Sequence, residues 1–362
     1  MIGGVLYRYF FLRQIRMIGM VLGGIVIIAY MADFTEFARR AGGWPEYTFA
    51  RGLYLSAMRM PMIIMLVWPF VALFASMGVL ISLNRRYELV IARSAGLSAW
   101  QFLSPLCLAS FSVGLFAILV VNPLAAYSLS TVQELEGTFR GYRKEVSDQL
   151  EVPWLRQRTD DGATVIGAGS SARRGAVLGD AVFLQFDADG NFTERFDARS
   201  ATLETGAWRL ENVTRTDLNG NREQLDTYRI ESALQPEYVE QRLSDPQEIP
   251  IYELPQKIDI SRALGISGNR IAMHFHSLVA LPMLLVAMTL IAATVCLRFA
   301  RMGQSGTMIV GGILAGFLLY VTLVVVTAFG NVGLVPPMIA AWVPVIVAMF
   351  CGVTFLLYKE DG

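Results

Sequence analysis

Charged residues are distributed along this chain in blocks, and the gaps between them outline its architecture. Met60 to Leu83 gives 24 residues without a charge, Leu97 to Gln133 gives 37, and Met302 to Tyr358 contains none. About 20 consecutive apolar residues suffice to cross a bilayer. The pattern therefore predicts six spans: roughly Tyr9–Ala32, Leu55–Leu83, Leu97–Tyr127, Ile271–Leu297, and two more divided by Gly330-Asn331-Val332-Gly333 and Pro336-Pro337. Pro61 and Pro69 predict kinks in span two. Asp33 to Tyr54 reads as a polar segment between spans one and two, with a turn at Gly42-Gly43-Trp44-Pro45.

Between spans three and four the pattern changes. From Glu134 to Arg270 no apolar run reaches membrane length, and polar and apolar residues alternate. Ala181–Phe186, Ala207–Val213 and Gln224–Ile230 predict strands, with hairpin signals at Asp189-Gly190 and Asn219-Gly220. Several short antiparallel strands predict a small sandwich or jelly roll. Pro236, Pro246, Pro250 and Pro255 predict an extended return to the membrane. The fold class is an α-helical polytopic membrane protein with six transmembrane helices, three plus three, around an inserted all-β, jelly-roll-like domain. The expected boundaries are 1–133, 134–262 and 263–362.

Composition agrees. The mean hydropathy is +0.48 and only 17% of residues are charged, against about a quarter in soluble domains. Net charge is zero, which gives nucleic-acid binding no electrostatic support. Cys107, Cys296 and Cys351 all lie in apolar runs, so a disulfide framework is not expected. Arg8, Arg13 and Arg16 precede the first apolar run without a cleavage pattern after it, which predicts an uncleaved span with Arg13 and Arg16 snorkelling to the headgroups. The excess of arginine places both termini and the loop after span two in the cytoplasm, and the β insert in the periplasm.

That loop is Asn84-Arg85-Arg86-Tyr87-Glu88-Leu89-Val90-Ile91-Ala92-Arg93-Ser94-Ala95-Gly96. Tyr87, Val90 and Ile91 share one side of a short helix, and Gly96 is a natural stop. A loop that only fixes topology explains the arginines equally well, but not a glutamate among them. Elsewhere enzymatic chemistry is absent. No lysine follows a glycine, so there is no Walker A motif. No Gly-x-Ser-x-Gly elbow occurs. His274 and His276, two apart on a helix, make a poor metal clamp. The spans lack buried acids, which leaves ion-driven transport unsupported. The picture is a non-catalytic permease body whose energy comes from a partner.

The layout and several motifs resemble the YjgP/YjgQ permease family, the LptF and LptG subunits of the lipopolysaccharide exporter. The motifs are Leu6-Tyr7-Arg8-Tyr9, Phe37-Ala38-Arg39-Arg40-Ala41-Gly42, the Arg86–Gly96 island, Gly316-Phe317-Leu318-Leu319-Tyr320 and Val335-Pro336-Pro337. The Asp33–Gly42 segment and the Gly-Phe-x-x-Tyr are closer to LptG than to LptF. The resemblance implies pairing with an LptF-like six-span permease, an LptB-like ATPase dimer below, and an LptC-like bitopic protein with a jelly roll that receives the lipid. It implies no cofactor in this chain, with ATP and magnesium bound only by the ATPase. Lipoprotein-release permeases of the LolC or LolE kind are the rival, but they carry their external domain after the first of four spans.

The resemblance also assigns sites. Arg86, Tyr87, Glu88, Val90, Ile91, Ala95 and Gly96 are expected to couple to the ATPase, with Glu88 paired to a basic residue there. Arg39, Arg40, Arg140, Phe317 and Tyr320 are expected to contact lipid, the last two from one face of span five. Asp33 stands where relatives often carry a lysine near the lipid phosphates. It is expected to turn away or to pair, with Arg59 as the candidate.

Overall fold

The computed structural model describes residues 4–43, 47–94, 96, 98–139, 155–159, 162–172, 177–187, 191–204, 206–217, 220–232, 246–263, 268–296 and 305–360. The chain divides into two compact units, Met1–Gly141 with Pro246–Gly362, and Tyr142–Asp245.

The first unit is helical: α1 (Gly4–Ala41), α2 (Phe49–Arg85), α3 (Glu88–Ser94), α4 (Ala99–Phe116), α5 (Asn122–Phe139), α6 (Leu254–Ala263), α7 (Asn269–Cys296), α8 (Ser305–Val332) and α9 (Pro337–Glu360). Among the described residues six stretches are long and apolar enough to span a membrane: α1, α2, α4 continuing into α5, α7, α8 and α9. Span five ends where its glycines suggest. Gly333 takes φ +85°, Leu334 N–H donates to Phe329 O at 3.0 Å, and Pro337 opens α9.

The segment after span one differs from expectation. α1 continues as helix through Asp33, Glu36, Arg39 and Arg40 to Ala41. The charges permit this because Glu36 lies three and four residues before the arginines and pairs with both, at 2.8 Å to Arg39 and 3.6 Å to Arg40. α2 then starts six residues earlier than expected, with Thr48 Oγ1 accepting from Arg51 N–H at 3.4 Å.

α2 and α7 form the buried centre, and α1 and α8 are peripheral. Where α4 meets α7, Gly114 lies so close to Pro282 that a Cβ would stand 2.5 Å from its Cα. One closed hydrogen-bond circuit joins four helices. Gln14 Nε2 donates to Ser76 Oγ (2.8 Å) and Ser110 Oγ (3.3 Å). Both hydroxyls meet Thr289 Oγ1 at 3.1 and 2.7 Å, and Thr289 donates to Leu285 O at 2.9 Å. All four side chains are fully buried, and the circuit partners the three hydroxyls and the Gln14 amide N–H, which would otherwise be costly in an apolar interior, whereas Gln14 Oε1 has no hydrogen-bond partner among the described residues.

Span three contains a π segment, Ala117–Val121, between α4 and α5. Widened turns of this kind disturb the regular carbonyl ladder. The return segment from the insert binds there: Tyr252 OH donates to Leu119 O at 2.9 Å, and Ile251 N–H donates to Asn122 Oδ1 at 3.0 Å. Ile249, Ile251 and Leu254 join the bundle core.

The second unit is a six-stranded antiparallel sheet in sequential order: β1 (Leu155–Thr159), β2 (Gly162–Ala172), β3 (Val177–Phe186), β4 (Phe192–Glu204), β5 (Ala207–Thr216) and β6 (Arg222–Glu231). Among the described residues this order is that of a meander, without the Greek-key crossings that join the two sheets of a jelly roll. Two hairpins close by the same device: Asp187 and Asp217 accept from the backbone N–H of Asn191 and Asn221 at 2.8 and 2.9 Å. Strands β1, β2 and β4 were not among the expected strands.

The sandwich character comes from a crease. Pairing is interrupted at one residue per strand, in the row Gly169, Asp180, Arg199, Asn212 and Asp226. Asp180 and Asn212 have φ +48° and +52°, values that aspartate and asparagine tolerate best among residues with a Cβ. The buried alternation changes phase there, from Phe196 and Ala198 to Ala201 and Leu203 in β4, and from Trp208 and Leu210 to Val213 in β5. The ring of Phe183 in turn reaches that of Trp208, 5.7 Å between centroids. Their partners in β4, Phe196 and Leu203, are seven residues apart, which is about 23 Å in a flat strand. The sheet is therefore folded over on itself, and both halves face one core.

Candidate functional site

The island after span two forms α3 as a helix of only seven residues. Such a helix has no independent stability in water, so neighbouring elements must hold it. α2 ends at Arg85 and the chain reverses through Tyr87, whose φ of +59° is unusual for a residue with a side chain. Ile91 N–H donates to Tyr87 O at 2.9 Å and closes the first turn. Leu89 is buried in the bundle core, whereas Arg86, Tyr87, Val90 and Ile91 are exposed. Tyr87, Val90 and Ile91 thus share an outward apolar face, as their spacing predicts. Gly96 follows with φ +83°. Ala95 lies outside the described residues.

Glu88 has partners that its spacing did not suggest. Its carboxylate is held within the chain: Arg13 Nη1 donates to Oε1 and Oε2 at 3.1 and 3.0 Å, and Tyr9 OH donates to Oε2 at 3.0 Å. Arg13 Nη2 also donates to Ser82 Oγ at 2.8 Å, and Nη1 contacts the Tyr9 hydroxyl. Arg13, expected to snorkel, turns inward instead, and its side chain is 17% exposed against 29% for Glu88. Sequence reading missed Tyr9, Arg13 and Ser82 as part of this site. One signal existed: Tyr9 and Arg13 are four apart on one helix face, a spacing suited to a shared acidic partner.

At the other end of α1, Arg39 and Arg40 share the single carboxylate of Glu36 and remain exposed, leaving that turn a net charge of +1. Asp33 pairs with Arg59 at 3.5 Å, as the sequence suggests. Arg59 also pairs with Glu136 and stacks over the Phe37 ring, 4.8 Å from its centroid. Arg140 lies outside the described residues. Phe317 and Tyr320 differ in their surroundings. Phe317 is exposed, while Tyr320 packs on Phe70 of α2 with ring centroids 4.8 Å apart. Residues three apart are separated by about 60° around the helix, enough for one to meet α2 while the other stays exposed.

Comparison with curated proteins finds no match. A family model described as the lipopolysaccharide export system permease LptF/LptG matches residues 8–359, from the start of α1 to the end of α9. The model covers both subunit types together. The match takes in all six spans, the α3 island and the creased sheet. A multi-pass inner-membrane protein of this architecture, matched over nearly its whole length, belongs to the LptF/LptG family of lipopolysaccharide export permeases.

Proposed function

We propose that this chain is the LptG-type transmembrane subunit of an ABC transporter that lifts lipopolysaccharide from the inner membrane to a periplasmic β bridge. It pairs with an LptF-like permease, an LptC-like bitopic protein, and an LptB-like ATPase dimer that supplies the energy. The α3 end and both termini face the cytoplasm, and the creased sheet lies in the periplasm. The observation that carries this reading is α3 itself. A seven-residue helix is held on one side by Leu89 and Glu88 and presents Tyr87, Val90 and Ile91 on the other. An apolar face at the solvent end of a bundle is a contact surface for a protein partner. Arg39 and Arg40 supply the net positive turn at the opposite end, where guanidinium forks suit lipid phosphates. Phe317 is an exposed aromatic of α8 offered to lipid or to the second permease.

The test is co-purification after mild solubilisation, with the parent chain and with Tyr87→Ala/Ile91→Ala. The parent should bring an ATPase and a second six-span protein, and the variant should keep the second permease and lose the ATPase. An ATPase that stays bound to the double variant would remove α3 as the docking surface. A parent that captures no ATPase would remove the transporter reading.

A further inference from the structure

The outward face of α3 explains how a partner could push it, but not what the push would move. The inward face supplies an answer. α3 has no autonomous stability, and among its side chains Glu88 and Leu89 turn inward. Leu89 packs into the bundle core, an apolar contact that tolerates sliding. Glu88 makes a directional contact, and two of its donors, Arg13 and Tyr9, both belong to α1.

The middle of α1 is less buried than its ends. Its buried residues are Phe10, Gln14 and Ile18 near one end and Phe37 and Ala41 at the other. From residue 19 to residue 36 no side chain is buried. Arg13 and Gln14 are consecutive, and each makes a specific polar contact: Arg13 with α3 and with Ser82 of α2, Gln14 with the buried circuit of Ser76, Ser110 and Thr289. The α3 end of α1 is thus fixed to the bundle by one residue and to α3 by its neighbour.

We infer that Arg13 is a positioning residue that fixes α3 to α1, so that displacement of α3 moves α1 rather than α2 alone. Resting on the reading given under Proposed function, it makes α1 the element that an ATPase contact on Tyr87, Val90 and Ile91 would drive. A guanidinium suits the task because it holds a carboxylate in two directions while keeping a third contact, here to Ser82.

The experiment uses the full chain in lipid nanodiscs and reads amide hydrogen exchange over residues 88–94. Arg13→Ala should make these amides exchange about tenfold faster, the loss expected for one charge-assisted contact holding a local element closed. Arg13→Lys should fall between parent and alanine, since the charge survives and the fork does not. The swap Arg13→Glu/Glu88→Arg should restore protection, because Tyr9 OH can serve either polarity. Arg8→Ala, on an exposed position of the same helix, should leave exchange unchanged. Protection in Arg13→Ala equal to the parent, or a swap as loose as the single variant, overturns the inference. In the assembled transporter, Arg13→Ala should keep ATP hydrolysis and lose lipid extraction, with the swap recovering extraction. Undiminished extraction in Arg13→Ala also overturns it. Exchange is read on the chain alone, so failure of the partner reading leaves that result standing, and a tight α3 in Arg13→Ala defeats the inference with the partner reading untouched.

Discussion

Gly114→Ala should destabilise the helical unit, and the size of the effect follows from one distance. A Cβ on Gly114 would lie 2.5 Å from Pro282 Cα and 3.1 Å from both its N and Cβ. Carbon atoms rest about 3.5–4.0 Å apart, so α4 and α7 must separate by about 1 Å or more. The obstructing atom is backbone, and Pro282 is inside α7, so no side-chain rotation relieves the contact. Overpacking of this kind costs about 1–3 kcal/mol. Gly311 in α8 is the control, because a methyl there meets nothing within 4 Å, and alanine should gain about 0.5–1 kcal/mol in a helix interior. Thermal unfolding of the purified full chain in one detergent should therefore show a lower midpoint for Gly114→Ala and an equal or higher one for Gly311→Ala. A Gly114→Ala chain that melts with the parent would refute the close approach. A Gly311→Ala chain that falls as far would show that alanine at either glycine is harmful for another reason.

Trp208→Ala should cost about 3–5 kcal/mol in the second unit, since the side chain is fully buried against Phe183; near-ultraviolet dichroism and proteolysis of the full chain at residues 155–231 report the loss, and unchanged protection would contradict the folded sheet. The Glu211 carboxyl is held below its usual range chiefly by Arg209 Nη2 donating at 2.7 Å, with Ser200 Oγ at 3.2 Å. Its folded value is depressed, so its contribution is complete above the unfolded value of about 4.5 and disappears as pH falls through the folded one. Glu211→Gln should flatten the acid limb of the second unit's stability curve slightly, and less so at high salt; a steeper limb in the variant would contradict the sign.

The spans were legible because a membrane helix needs only an uninterrupted apolar run, which is a local property. Their ends were less so. Asp33 and Glu36 read as the start of a loop, yet each finds an arginine partner, Asp33 in the next span and Glu36 one turn along its own helix. Pairing across elements cannot be deduced from hydropathy. The same holds for Glu88. Its presence among arginines was conspicuous, but Arg13 is 75 residues away in sequence, and nothing local links them. The outward face of α3 was predictable, because helical spacing alone groups Tyr87, Val90 and Ile91. The packing of Tyr320 on Phe70 was not foreseen, because spacing gives a direction around the helix and not what stands there. In the sheet, alternation located three strands and passed over β1, β2 and β4; in β4, Arg195, Asp197 and Arg199 break the apolar count. Residues poorly suited to strands, Gly169, Asp180, Asn212 and Asp226, mark the crease, and only the register brings them into one row.

The crease separates two kinds of resistance in the second unit. Along each strand, hydrogen bonds to the neighbours hold the ladder together, and separating strands would break them in series. Across the row from Gly169 to Asp226 that ladder is already interrupted. Opening the two halves like the covers of a book therefore loses side-chain contacts, those of Phe183 with Trp208 and Phe196 with Tyr228 among them, while leaving the strand pairing intact. The row acts as a spine, and the stiffness of the fold about it is set by what fills the space between the covers.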